Sequence, residues 1–197
     1  MFSLEDLLGQ QQGNQAVEQI SSSIGANSTV TNSAIQMALP MILGALAKNT
    51  QQSGGAEALS NTLQKNHDGG ILDNLGGFLG GDNQDTNNGI GILGHIFGNK
   101  QGAAAQQVSQ QSGLDIGQVA QLFITLAPIV MGFLGKKKTE QNLDANGLSN
   151  LLGEQQQTMQ SSGNPMMDMV SGFLDQDKDG SAMDDLASMA ASYFQKR

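Results

Sequence analysis

The chain has 197 residues, which is enough for one domain or two small ones with a buried core. Its net charge of −9 repels nucleic-acid backbones, so generic nucleic-acid binding is disfavoured. The absence of cysteine excludes disulfides, thiolate catalysis and zinc–sulfur sites. With no Trp and one Tyr, the core must consist of aliphatic side chains, Phe and the ten Met.

The sequence repeats itself at an offset of about 88 residues. The aligned segments are 17–25 with 105–113, 38–48 with 126–136, 59–61 with 148–150, and 73–79 with 168–174. The offset grows slowly along the chain, as loop insertions would cause. The sequence therefore predicts two tandem homologous units, residues 1–100 and residues 101–197.

Each unit has the pattern of an all-α, multihelical fold, because no stretch alternates apolar and polar residues as a strand would. The predicted helices are 14–24, 31–47, 55–66, 71–80 and 90–98, followed by 102–112, 116–136, 144–160, 165–174 and 182–195. The candidate helix caps are Asn27, Ser28, Asp115 and Asn164.

The longest helix of each unit is apolar almost all round and is expected to form its buried centre. Pro40 and Pro128 lie inside these helices, and we expect each proline to kink its helix by removing a backbone hydrogen bond. Gly44 and Gly132 follow one turn later and permit close approach of another helix. These four residues favour a packing role over a ligand groove at the kink.

The apolar run from Leu122 to Gly135 precedes three lysines, as a membrane span would. It is shorter than the roughly 20 apolar residues that a span needs, so a buried core helix is expected and no membrane span. Residues 1–6 are acidic where a secretion signal would be basic. A cytoplasmic location is therefore predicted.

The strongest motif is a DxDxDG loop near the C-terminus, which matches the first half of an EF-hand calcium loop. The second half does not match, because Leu186 stands where the bidentate Glu would be. We therefore predict a weak calcium site. Its candidate ligands are Asp175, Asp177, Asp179, Asp184 and Asp185.

The same loop also matches the start of a helix. Residues 178–186 align with residues 67–75 through a shared Asp-Gly and a later Asp, and the first copy has no Asp at the place of Asp177. In this alternative the acidic residues stabilise the positive end of a helix and bind no metal. The sequence leaves both interpretations open.

The remaining motifs do not indicate catalysis. Residues 89–94 spell the dinucleotide pattern GxGxxG, but the polar residues 82–88 before it cannot form the strand that a phosphate site needs. His67 and His95 stand outside any paired metal spacing, and the apolar neighbours of His95 predict a buried core histidine. No nucleophile, base or acid–base pair is singled out, so an enzyme is not expected.

Several segments, taken together and in order, resemble the bacterial family named domain of unknown function 937. They are 38–50, 67–73, 91–98, 126–132, 179–181 and 184–186. That family is similar to the YidB-like helical proteins, which implies a multihelical fold. The resemblance brings no established activity, substrate or catalytic residue.

Three functions are consistent with these observations. The leading hypothesis is a non-enzymatic scaffold for protein interaction or self-association, favoured by the duplication and the Met-rich apolar composition. The second is a weak calcium-binding protein that uses the acidic loop, with no cofactor other than Ca²⁺. The third, a nucleic-acid-binding regulator, is disfavoured because only Lys136 to Lys138 form a basic cluster.

Overall fold

The computed structural model describes residues 3–80 and 86–161, and all regular structure within these two ranges is helical. The all-α multihelical fold predicted from the sequence is therefore confirmed for the described residues. The helices are α1 (Leu4–Leu8), α2 (Gln10–Ile24), α3 (Ser28–Thr50), α4 (Gly55–Asn66), α5 (Gly70–Asp73), α6 (Leu75–Gly80), α7 (Thr86–Phe97), a 3₁₀ turn (Gly98–Lys100), α8 (Gln101–Ser112), α9 (Ile116–Glu140) and α10 (Ala145–Ser161).

Side-chain caps fix the starts of the two longest helices, as the sequence predicted. At the start of α3, Asn27 Oδ1 accepts a hydrogen bond from the backbone N–H of Thr29 at 2.8 Å. At the start of α9, Asp115 accepts from the N–H of Gln118 at 2.8 Å, and the Gln118 side chain accepts from the N–H of Asp115 at 3.1 Å. Each cap satisfies N–H groups that have no partner inside the helix.

Helices α3 and α9 pack against each other at the centre of the structure. Their inner side chains are fully or almost fully buried: Leu39, Met41, Ile42, Leu122, Phe123, Leu126, Ile129 and Val130. One hydrophobic cluster includes these residues together with others from α1 to α10. The described parts of the two predicted units therefore share one core.

Corresponding features of the two units occur at the predicted offset. Pro40 and Pro128 each lie twelve residues after the first residue of α3 and α9, and both are buried. Gly25 and Gly113 end α2 and α8 in the left-handed conformation, with φ of +67° and +82°. The second-unit helices predicted at 165–174 and 182–195 lie outside the described residues, so the tandem duplication stays a prediction.

The shorter helices pack around the central pair without regard to the predicted unit boundary. Helices α2 and α8 each contact both α3 and α9, while α10 contacts α3 and α4. Helix α4 contacts α3 and α9, and α7 contacts α3, α8 and α9. The predicted boundary near Lys100 falls at the 3₁₀ turn, which leads directly into α8.

Both central helices are long and apolar enough to cross a membrane by length and composition alone. Within the most apolar 18-residue stretch of each helix, 78% is buried inside the fold for α3 and 61% for α9. Buried core helices of soluble proteins meet the same length and composition criteria.

The chain between α4 and α5 lies directly on α9 at a glycine. A Cβ atom added to Gly135 would meet the backbone carbonyl oxygen of His67, and Gly69 lies against Lys136. One turn earlier, a Cβ atom on Gly132 would meet the side chain of Ile71 in α5. The predicted close approach at Gly132 is therefore present, and it is made by the short helix α5.

We predict that Gly135→Ala lowers the free energy of unfolding by about 1–3 kcal/mol, because backbone atoms must shift to admit the methyl group. Gly153→Ala is the control, since Gly153 lies within α10 with open space at its Cβ position. That change should be neutral or stabilise the protein by up to about 1 kcal/mol through better helix propensity. Denaturant unfolding measures both, and equal effects would contradict the proposed contact.

Candidate binding cleft

An open cleft of about 610 Å³ lies between α3, α4 and α7, with α9 beneath it. One wall is formed by α4 and the residue after it, and the opposite wall by α7. The described residues that line it are Leu46, Asn49, Gln52, Gly55, Ala58, Leu59, Thr62, Asn66, His67, Asn88, Gly91, Ile92, His95, Ile96 and Met131.

Apolar burial on one face orients α7. Ile92, Leu93, Ile96 and Phe97 are buried, at the spacing of one helical face. The Phe97 ring packs edge-on against the ring of Phe123 in α9, with 5.4 Å between the ring centroids. This packing leaves the opposite face of α7 exposed. The residues at the border between the buried and the exposed face line the cleft.

An amide side chain ties the C-terminal end of α7 to α3. Asn49 Nδ2 donates hydrogen bonds to the backbone carbonyls of His95 at 3.0 Å and Ile96 at 3.1 Å. These carbonyls belong to the last turn of α7, where the helix itself supplies no partner. Asn49 therefore holds α7, which forms one wall of the cleft, in place. It also supplies hydrogen-bond donors to the carbonyls at the end of this helix.

The opposite wall depends on a close contact at the start of α4. A Cβ atom on Gly55 would meet the backbone carbonyl oxygen of Asn49, so only glycine allows this approach without a shift. Further along α4, Thr62 donates its hydroxyl to the carbonyl of Ala58 at 2.9 Å. That hydroxyl is thus satisfied within the helix.

The cleft carries no formal charge at neutral pH among its described lining residues. None of them is Asp, Glu, Lys or Arg, although the chain as a whole has a net charge of −9. Leu46, Leu59 and Met131 are buried and supply apolar surface. The rim consists of amide, hydroxyl and imidazole groups, so the cleft suits an uncharged ligand with apolar side chains.

The two histidines line this cleft in different environments. His67 is buried, and this burial lowers the pKa of its imidazole, while the charge of Asp68 opposes that shift. His95 is exposed, so the prediction of a buried core histidine was wrong. His95 is exposed because of its position around the helix. The buried face of α7 consists of Ile92, Leu93, Ile96 and Phe97, and His95 lies outside that face.

The family described as "Bacterial protein of unknown function (DUF937)" matches residues 6–137 of the chain. The chain belongs to this family. No curated protein and no solved structure was found to match it. The matched range includes every described residue that lines the cleft of this DUF937 protein.

The predicted calcium ligands of this DUF937 protein, Asp175, Asp177, Asp179, Asp184 and Asp185, lie outside the described residues. Within residues 3–80 and 86–161, no group of three or more His, Asp or Glu side chains could hold a metal ion. The calcium site therefore stays a prediction.

The other sequence motifs have structural roles. The GxGxxG pattern lies inside α7, where Gly89 allows the helix to approach the carbonyl of Ile124, so no phosphate loop is formed there. In the lysine cluster, Lys137 forms an ion pair with Glu140 at 3.3 Å and lies 5.9 Å from the centre of the Phe133 ring. This lysine is engaged within its own helix.

Sequence reasoning did not find the cleft. Its polar residues come from α3, α4, α7 and the chain just after α3 and α4, and no motif in the sequence joins them. One signal was visible: residues 86–98 contain no Asp, Glu, Lys or Arg in a strongly acidic chain. That run marks a surface that carries no formal charge at neutral pH.

We predict that the DUF937 protein loses stability as the pH falls from about 7.5 to about 5.5, through the usual histidine pKa near 6.5. Burial lowers the pKa of His67 in the folded state. The unfolded chain therefore binds the proton more readily, and protonation favours unfolding. His67→Gln should flatten this pH dependence of the unfolding free energy. A steep dependence that survives His67→Gln would contradict this account.

Proposed function

We propose that this DUF937 protein is a non-enzymatic helical scaffold that binds an uncharged, apolar helical segment of a protein partner in the cleft. The observation that carries the proposal is the composition of the cleft: an apolar floor, a neutral polar rim and no charged side chain among its described lining residues. Apolar floors of this kind accept the hydrophobic face of a partner helix.

The chemistry of the lining favours this class of ligand over charged ones. A carboxylate or phosphate would find no cationic side chain among the described lining residues. Burial of such a group without a partner is costly. The amide side chains of Gln52 and Asn66 can instead donate to, and accept from, the polar groups that flank an apolar helix face.

The lining also supports a binding role over catalysis. Two histidines are present, but none of the described residues that line the cleft with them is Ser, Cys, Asp or Glu, and Asp68, which is next to His67, is outside this lining. Asn49, a candidate polar group, is occupied by the carbonyls at the end of α7.

The test uses the methyl group of Met131, which lies in the cleft, as a site-specific NMR reporter. The probe is an end-capped helical peptide of Leu, Ala and Gln, and the control peptide replaces each Gln with Glu. We expect the uncharged peptide to shift the Met131 methyl signal and the charged peptide to bind at least about tenfold more weakly, because its carboxylates lose water without gaining a partner.

A matched pair of variants locates the binding. Ala58 and Ala103 are both exposed helical alanines, and only Ala58 lines the cleft. Ala58→Glu should abolish the response of Met131, and Ala103→Glu should leave it unchanged. If neither peptide shifts Met131, or if both variants behave alike, the cleft is not the site of helix binding.

A further inference from the structure

The outward face of α7 exposes apolar surface next to the cleft. Ile90 is a large apolar side chain with 50% of its surface exposed. Gly91 and Gly94 lie on the same side of the helix, and a Cβ atom added to either glycine would meet nothing within 4 Å. This face therefore combines one protruding side chain with two positions where another surface can approach the backbone.

This face is also free of formal charge at neutral pH, since residues 86–98 contain no Asp, Glu, Lys or Arg. The cleft beside it shares this property among its described lining residues. Helix α7 thus carries both an exposed apolar side chain and one wall of a cleft that suits apolar side chains.

We infer that the segment bound in the cleft is α7 of a second copy of this chain, with Ile90 of each copy inserted into the cleft of the other. The inference rests on the proposed function and names its partner. A two-fold dimer of this kind requires each copy to supply both the protruding group and the cavity that receives it. Helix α7 supplies Ile90 and, through Gly91, Ile92 and Ile96, part of the cavity.

Charge favours a second copy at this face over association elsewhere on the protein. In a two-fold interface each residue near the axis faces its own equivalent, so a charged face would oppose itself. Two chains of net charge −9 repel each other, and an uncharged face is where this repulsion is smallest. The glycines on α7 further allow the two backbones to come close.

The same reasoning predicts weak association that strengthens with salt. One helix face buries less surface than the roughly 1,600 Å² of a stable interface. Added salt screens the repulsion between the two acidic chains, so dimerisation should increase with ionic strength. An interface held by ion pairs would respond in the opposite direction.

Sedimentation equilibrium of the full chain, at concentrations up to about 1 mM and at low and high salt, tests the inference. We expect a reversible monomer–dimer equilibrium whose dissociation constant falls as salt is raised. Ile90→Gln should raise this constant at least about tenfold. Ile116→Gln is the matched control, since Ile116 is 54% exposed and lies at the start of α9, and it should leave the constant unchanged.

The second variant, Ala58→Glu, changes the opposite wall of the cleft and should weaken dimerisation as Ile90→Gln does. A chain that is monomeric at every concentration and salt overturns this inference, while a Met131 response to the uncharged peptide would leave the proposed function standing. The inference is also overturned if the wild type and Ile90→Gln have equal dissociation constants. It is overturned as well if Ile90→Gln and Ile116→Gln have equal effects, because the interface then lies elsewhere. The absence of a Met131 response to the uncharged peptide, at concentrations where the chain is monomeric, contradicts the proposed function separately.

Discussion

The contact between α3 and α9 supplies the interior on which α2, α4, α5, α7, α8 and α10 pack. Both helices are apolar on nearly every side, so neither can stand in water unless other helices cover it. Each Leu, Ile, Val or Phe that they bury fully contributes about 1.5–3 kcal/mol. With no disulfide in the chain and an exposed ion pair worth little, apolar burial is the main source of its stability.

The cleft is a consequence of how the outer helices cover this pair. Helices α4 and α7 both pack on α3 and α9, and the cleft lies between them with Met131 of α9 beneath. Close contacts at Gly55 and Gly89 set the positions of the two walls, because the backbone of each helix touches a carbonyl of its neighbour. The shape of the cleft thus depends on these close backbone contacts as well as on the side chains that line it.

Much of the fold was predictable because its signals are local. Helix α4 has the predicted bounds, and the caps at Asn27 and Asp115 start the two long helices. Helix α1 was missed, since five residues are too few to show a helical period, and the predicted helix 71–80 is two short helices that meet at Asn74. Helix α7 begins at Thr86, four residues before the predicted start at residue 90.

The site was less predictable than the fold because its parts are distant in sequence. The bonds from Asn49 to the end of α7 join residues more than forty positions apart. The exposure of His95 depends on which face of α7 meets α9, and composition alone gave the opposite result. Neighbouring apolar residues predict burial on average, but a residue's place on the helix face decides it.

Native-state hydrogen exchange of the full chain tests most directly whether one core, shared by both predicted units, holds this protein together. The structure predicts that the slowest amides of α3 and α9 open together, with the same free energy and the same dependence on denaturant, because the buried side chains of both helices belong to one hydrophobic cluster. Two separate openings, one for residues of α2 to α4 and another for residues of α8 to α10, would contradict the shared core.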